Sequence, residues 1–525
     1  MPRFYITTAI DYVNGRPHLG HAYEKVLADA IARRHRQKGD ATYYLTGTDE
    51  HGQKVAKAAA AAGKTPGAYV DELSQTFVQA WKALDVQYDQ FFRTTDTKHR
   101  LAVQELFRRL NDALSPKTGQ RVLYEEAYEG LYCEGCESFK TEKDLDENGL
   151  CLEHKVKPKE VKETNFFFRL SEYDEALLKH IEAHPDFIWP DALLNYLSAL
   201  GWPERKYSLW WLAKNKDVGG PGAARQDEFQ HLDGQGRPGA AWAGTKDAYC
   251  TNAFHLIGKD ISRFHCILWP ALLLAAGVPL PRQVYVHGFI YAKGERLSKS
   301  SGNIVDPVEL ATTFGADALR FFLLDSFPTG RDGEFTLEQF VEHVNTHLAN
   351  KLGNLASRTV TLVHKYFEGK VPAEWNPESF ANDEAKEGFG ALLATAATTA
   401  TESPRAWEEL RINEALDHVW NVVERANEFV DRTKPWELGK APERRQELAT
   451  VLNALLETLR LVAIWTWPAL PAKSEALWKT LALPGSPSLQ KDVEAQPRFG
   501  AGDGRTLGAS EILFPRIDLK SVARA

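Results

Sequence analysis

Apolar residues along the first fifty positions change period twice. FYITTAI (Phe4 to Ile10) is a β-type run, and Leu19, Ala22, Val26, Leu27, Ala30 and Ile31 then recur at helical spacing until Gly39. ATYYLTG (Ala41 to Gly47) predicts the next strand. Strand, helix and strand in close succession form a βαβ unit, which requires a parallel sheet of the doubly wound type. An alanine-rich helix (Ala56 to Ala62) follows, then a cysteine-bearing segment at about 125–160, the strand-like NFFFRL (Asn165 to Leu170) and a second α/β stretch. That stretch is broken by a Gly-, Pro- and Gln-rich run from Asp217 to Gly244, expected as an exposed loop. From about residue 340 the period is helical throughout. Leu348, Leu352, Leu355 and Leu362 predict one helix, Ile412, Leu416, Val419 and Val423 a second, and Leu448, Val451, Leu455, Leu459 and Val462 a third, so a helical bundle ends the chain.

At 525 residues the chain is too long for one core, so several domains are expected. Apolar content of 43% and charged content of 26% are ordinary for a globular protein, and no run of about 18 uncharged apolar residues provides a membrane span. MPRFYITTAI lacks the basic head, apolar core and cleavage site of a secretory signal, so a cytoplasmic chain with no membrane partner is expected. The net charge of −8 argues against a generally basic nucleic-acid surface, although a local patch overrides such a total.

Candidate chemistry sits in three places. At the first strand-to-helix turn, RPHLGHAYEK puts His18 and His21 on one face of the first helical turn, beside Gly20. A helix N-terminus offers unpaired N–H groups and partial positive charge, so two imidazoles beside it suit phosphate; a capping histidine with an exposed neighbour is the competing reading. Neither G-x-G-x-x-G nor the P-loop pattern occurs at this turn, which lowers the rank of ordinary dehydrogenases and P-loop ATPases. Second, ERLSKSSGN (Glu295 to Asn303) is a flexible run with two cations, Arg296 and Lys299, suited to transient cover of triphosphate charge or to nothing beyond solvation. Third, Cys133-x-x-Cys136 and Cys151-x-x-His154 are two short-spaced pairs, the pattern of a closed tetrahedral zinc site. Four protein ligands leave no position for water, so that zinc is expected to be structural.

Taken in order, these motifs resemble the class I aminoacyl-tRNA synthetases, and the methionyl branch in particular. HLGH is similar to the family's HIGH motif and RLSKS to its KMSKS motif; TGTDEHG (Thr46 to Gly52), HLIGKDISRFH (His255 to His265), VHGFI (Val286 to Ile290), NLASR (Asn354 to Arg358) and KPWEL (Lys434 to Leu438) are similar to methionyl enzymes. The resemblance implies a Rossmann-like nucleotide-binding domain in two halves (1–115 and 191–290), a zinc-bearing connective insertion (116–190), an RLSKS loop and stem-contact region (291–340) and a helical anticodon-binding domain (341–525). It implies that ATP, with Mg, and L-methionine form methionyl-adenylate, and that the methionyl group passes to tRNA(Met). His18, His21, Lys299 and Arg296 are then the catalytic cations and donors, with Gly258, Lys259 and Asp260 near the nucleotide. Ile10, Tyr12, Asp49, Trp189, Ala192, Tyr196 and His265 line the methionine site, with Asp49 holding the amino group. Asn354, Arg358 and Trp436 match anticodon-reading positions; splayed bases are stacked and hydrogen-bonded by such residues. A monomer is expected.

Three departures stand out. Arg296 and Leu297 replace Lys and Met of the family motif, keeping charge and volume. Asp11 brings an anion to a place where the family prefers an apolar or aromatic residue. HPDFIWPDALLNY fuses two segments at Pro190 and Asp191 that the family keeps tens of residues apart, and Pro190 is badly suited to a central strand. A catalytically impaired tRNA-binding relative, or another class I synthetase, are therefore the alternatives to an active methionyl enzyme.

Overall fold

The computed structural model describes residues 2–134, 138–152, 155–183, 253–292, 294–296, 305–493 and 495–519. The fused segment at Pro190 and Asp191, with Trp189, Ala192 and Tyr196, and the Asp217–Gly244 run lie outside the described residues, as do Cys136, His154 and Lys299.

The predicted βαβ unit is present. β1 (Arg3–Thr8) and β3 (Ala41–Asp49) pair in parallel, joined by the helix α1 (Leu19–Lys38), which ends at Gly39 in the left-handed region (φ 92°). With β2 (Asp11–Tyr12), β4 (Gln90–Arg93), β8 (Ala253–Gly258) and β9 (Gln283–His287) they build a six-stranded sheet in the order β2-β3-β1-β8-β9, with β4 on the far side of β3. Alternate residues face opposite layers: Ile6 and Tyr44 join the core under α1, while Tyr5 and Leu45 join a second core with Phe92, Leu106 and Trp269. Helices therefore cover both faces, as a parallel sheet demands. Gly47 lets β3 and β4 approach, since a Cβ there would lie 1.9 Å from the Phe92 carbonyl oxygen.

β5 (Leu123–Cys133), β6 (Ser138–Lys140) and β7 (Lys159–Phe168) form a separate antiparallel sheet, mostly exposed along β5. A third small sheet pairs β10 (Ile290–Ala292) with β11 (Glu295–Arg296) and β12 (Gly333–Glu334) at the root of the RLSKS loop.

From Leu337 to Thr480 the chain is built of helices joined by turns and one longer non-helical stretch at about 368–382. The helix read from Leu348 to Leu362 is continuous but changes type within its length: Val344–Gly353 is π-helical and Asn354–Phe367 is α-helical. Ile412–Thr433 and Arg445–Thr466 match the second and third predicted helices, and Asp383–Glu408, whose alanines and threonines give a weak pattern, packs against Ile412–Thr433. The segment Pro442–Thr466 is long and apolar enough to cross a membrane, but 89% of its apolar window is buried inside the protein, as in the core helix of a bundle. One continuous core joins bundle and sheet layer, running from Val26 and Trp81 through Leu319 and Phe322 to Leu455.

The two halves also share charge. Arg320, fully buried, pairs with Asp29 of α1 at 2.7 Å and donates to the carbonyls of Leu84, Pro468 and Ala469 at 2.9–3.2 Å. Arg33 pairs with the same Asp29 at 2.7 Å, and Gln37 donates to the carbonyls of Ile464 and Pro487. Burial alone would raise the Asp29 carboxyl, but the Arg320 and Arg33 guanidiniums hold it below its ordinary range.

Candidate active site

Strand order places a crevice at a definite point. From β1 the chain crosses to β3 on one side, whereas β8 lies on the other, so the sheet reverses between β1 and β8, and ligands of doubly wound sheets bind outside the carboxyl ends at that reversal. Ala9–Asp11, Asp49, Gly258 and His287 all stand at those ends.

The pairing with β3 slips by one residue between Thr7↔Leu45 and Asp11↔Thr48, so an extra residue is accommodated at Ala9–Ile10. This is a bulge-like break that bends the strand. Asp11, the departure from the family pattern, is matched by Lys25 one helical turn past the histidines: the Lys25 ammonium donates to Asp11 Oδ1 (2.8 Å), Glu24 Oε1 (2.7 Å) and the Ala9 carbonyl (2.9 Å). Glu24 Oε2 receives His287 Nε2 at 3.0 Å, and His287 Nδ1 faces the Gly288 carbonyl at 2.8 Å. Both ring nitrogens thus face oxygen atoms, one on the helix and one on the backbone that follows β9. Burial would raise the Glu24 carboxyl, yet Lys25 and His287 hold it below its ordinary value; burial would lower Lys25, yet Asp11 and Glu24 raise it.

His18 is the N-cap of α1 and His21 its third residue. His18 Nδ1 accepts from the Gly20 amide at 3.1 Å, and His21 Nδ1 accepts from the His18 amide at 3.1 Å, a capping box made of two imidazoles. An Nδ1 that accepts from an amide leaves the proton of a neutral imidazole on Nε2. Each ring is thereby set as an Nε2–H donor, with ring centroids 3.8 Å apart. Gly20 makes room for the His18 ring itself: a Cβ there would lie 3.0 Å from Cε1.

Gly258 closes β8, and a Cβ on it would lie 2.8 Å from Asp260 Oδ1 and 3.8 Å from His287 Nε2. Lys259 and Asp260 are exposed in the turn that follows. Lys259 donates to both carboxylate oxygens of Asp332 (2.6 and 2.5 Å) and lies 4.8 Å from the Phe289 ring centroid. Asp332 also accepts from the Phe289 amide, and Gly288 is obligatory beside it, because a Cβ there would meet the Arg331 carbonyl oxygen at 2.0 Å.

On the opposite side, Asp49 ends β3 and accepts from Thr94 Oγ1 at 3.3 Å, while Tyr12 lies 5.7 Å from the Lys54 ammonium. His265 is fully buried in a π-helical turn, Phe264–Leu268, a deviation often found at functional positions. Its Nδ1 contacts the Ile261 carbonyl at 3.2 Å, its ring lies 6.1 Å from that of His255, and burial with the neighbouring His255 keeps it neutral across the physiological range. His255 itself, bonded to Thr7 Oγ1 at 2.7 Å, is pushed down to about 3 by burial.

The structure thus brings His18 and His21 together and sets Ile10, Tyr12, Asp49, His265, Gly258, Lys259 and Asp260 at or just beyond the strand ends. Arg296, in β11, pairs through its backbone with Tyr291 of β10. Sequence reasoning missed Glu24, Lys25, His287 and Asp332. The signal was a charged Glu-Lys pair among the apolar positions Ala22, Val26 and Leu27 of the helix, together with an unexpected Asp11. Of the zinc ligands, Cys133 and Cys151 are described and fully buried; among the described residues no group of three or more His, Cys, Asp or Glu side chains gathers as a metal site. In the bundle, Asn354 is exposed, and Arg358 one turn later lies 5.0 Å from the ring of Trp436.

The family model for class I tRNA synthetases (M) matches residues 4–156 and 236–360. A methionine–tRNA ligase of Streptomyces coelicolor is 37% identical, covering 99% of this chain and 98% of that protein, and one from Caldanaerobacter subterraneus subsp. tengcongensis is 36% identical, covering 98% and 79%. Mycobacterium tuberculosis methionyl-tRNA synthetase in complex with methionyl-adenylate has a similar structure, with a TM-score of 0.82 at 33% identity over 98% of this chain and all of that one. The same enzyme in its free state gives 0.76. With the paired histidine cap, the strand-order reversal between β1 and β8 and near-complete coverage in agreement, the chain belongs to the methionine–tRNA ligase family of class I tRNA synthetases.

Proposed function

We propose that this chain is a methionine–tRNA ligase that forms methionyl-adenylate from L-methionine and ATP and transfers the methionyl group to tRNA(Met). The observation that carries the reading is the double-imidazole cap of α1, two Nε2–H donors fixed at the sheet reversal. A methionine carboxylate is already a nucleophile at neutral pH. One carboxylate oxygen forms a bond to the α-phosphorus as the bond to the pyrophosphate oxygen breaks, so the site must align the two and cover charge as it moves onto pyrophosphate. His18 and His21 supply neutral donors, and Lys259, with Lys299 and Arg296 of the RLSKS loop, supplies cations; the Mg that accompanies ATP adds charge of its own. A hydroxyl of the terminal tRNA ribose then bonds to the methionyl carbonyl carbon, and AMP departs.

Asp49 is suited to the methionine ammonium. His265, neutral and held through Nδ1, suits the neighbourhood of an uncharged thioether, and Ile10 and Tyr12 are proposed to line the same site. Trp189, Ala192 and Tyr196 belong to the same expected pocket. Asn354, Arg358 and Trp436 form the anticodon patch: a guanidinium near an indole, beside an exposed amide, offers stacking and hydrogen bonds to unstacked bases. Cys133, Cys136, Cys151 and His154 are proposed to hold a structural zinc. Two buried thiols, one ending β5 and one in the connection between β6 and β7, in a module with little apolar core fit that role, since such a module needs a staple. The reading places the chain in the cytoplasm as a monomer.

Methionine-dependent exchange of pyrophosphate into ATP tests the proposal. Wild type exchanges, and His21→Ala lowers kcat by about a hundredfold, as loss of one positioned transition-state donor does. Absent exchange with retained tRNA binding selects the inactive relative instead.

A further inference from the structure

A buried line of polar side chains runs beside the sheet reversal: Asp11, Lys25, Glu24 and His287, with three links of 2.7–3.0 Å. It ties three separate segments together. Asp11 belongs to the strand that leads into the methionine side, Lys25 and Glu24 to the helix whose cap holds the phosphate-facing imidazoles, and His287 to the strand end beside Gly258. The third donor of Lys25 goes to the Ala9 carbonyl, at the step where the pairing with β3 slips. The Thr8 hydroxyl contacts the same carbonyl at 3.1 Å, and the Lys25 ammonium lies 5.8 Å from the Trp81 ring. A bulge frees a backbone group that sheet pairing would otherwise satisfy, and a partly buried freed carbonyl is stabilised by a donor.

We infer that Lys25 is a positioning residue for methionine: its ammonium fixes the break at Ala9–Ile10, and so the backbone from which Ile10 and Tyr12 project. The inference rests on the proposed placement of Ile10 and Tyr12 in the methionine site. The arrangement makes a directional claim. Ala9, Asp11 and the break lie on the amino-acid side, whereas the caps at His18 and His21 are made by local backbone contacts that do not involve Lys25. Losing Lys25 therefore disturbs methionine and spares ATP. A merely structural ion pair would weaken both ligands alike, or neither.

The test measures binding of L-methionine and of ATP separately by titration calorimetry, and the KM for each in pyrophosphate exchange. The proteins are wild type, Lys25→Met and the double variant Asp11→Asn/Lys25→Met. The double variant removes one cation and one anion together and leaves Glu24 with His287, so it carries the test if Lys25→Met does not fold. Expected for the folded variant is a rise of about tenfold or more in the Kd and KM for methionine, with the values for ATP within about twofold of wild type. Equal loss for both ligands, or no loss for either, overturns the inference while leaving the proposed function intact. A wild-type chain that binds no methionine overturns the proposed function, and the inference with it.

Discussion

Replacing Arg320 by methionine keeps an apolar stem of similar length and removes one charge and its fork of donors. In the native protein that fork serves Asp29 on one side and three carbonyls, of Leu84, Pro468 and Ala469, on the other. Breaking a buried ion pair costs about 3–5 kcal/mol. Arg33 still neutralises Asp29 at 2.7 Å and the Gln87 amide still donates to it at 2.8 Å, which favours the lower end. Three buried carbonyls then lose a donor at about 1 kcal/mol each, and burial of the methionine end returns about 2 kcal/mol. The expected net loss is about 4 kcal/mol, a large part of a domain's usual stability of about 5–15 kcal/mol. Guanidinium unfolding followed by tryptophan fluorescence and by far-ultraviolet circular dichroism measures it. Because Pro468 and Ala469 lie in the bundle while Asp29 and Leu84 lie in the α/β half, the two probes should cease to coincide, the α/β half melting first. Arg320→Lys, which keeps the charge and loses the fork, should fall between wild type and Arg320→Met. A methionine variant within about 1 kcal/mol of wild type, with coincident probes, would refute the reasoning.

Two further outcomes follow from buried or stacked groups. His255 is held near 3 in the folded protein against an ordinary value of 6.5, so below pH 6.5 the unfolded chain binds a proton that the folded one refuses. Its contribution is fully present above pH 6.5 and is lost as pH falls towards 3, at about 1.4 kcal/mol per pH unit. His255→Gln should flatten the pH slope of stability between pH 6 and 4 by about that amount, and an unchanged slope would show that the histidine is already protonated when folded. Arg358→Ala should leave methionine-dependent pyrophosphate exchange unchanged and raise the KM for tRNA about 5- to 150-fold, the range expected for losing a base-stacking partner; a defect in exchange would contradict the separation of the two sites.

The first βαβ unit, the histidine pair and the limits of α1 were legible because their causes are local: helical period, a capping pattern and a left-handed glycine. The bulge at Ala9–Ile10 was not. FYITTAI reads as an unbroken strand, and the break is held by Lys25, a residue that sequence pattern alone places on a helix face. The same limit applies to His255, which meets Thr7 across 248 residues of chain, and to the pairing of Lys259 with Asp332. The leucines from 348 to 362 suggested one helix, since spacings of three, four and seven do not separate a π-helical stretch from the α-helix that continues it. Asp11 looked anomalous only because its partner lay in another element.

The length of α1 has a mechanical consequence. Twenty residues at about 1.5 Å each make a rod of roughly 30 Å, gripped at its middle by Arg320 on Asp29 and towards its far end by Gln37 and the pairing of Arg34 with Asp492, and carrying His18 and His21 at its near end. Asp29 lies about 15 Å from the imidazoles along that rod, so each degree of tilt about it sweeps them sideways by about 0.3 Å. Misplacement of about 1 Å is enough to slow chemistry a hundredfold, so about four degrees of play in the bundle would be felt at the proposed phosphate site. Stiffness at the buried guanidinium clamp is therefore a requirement on reaction rate as well as on folding.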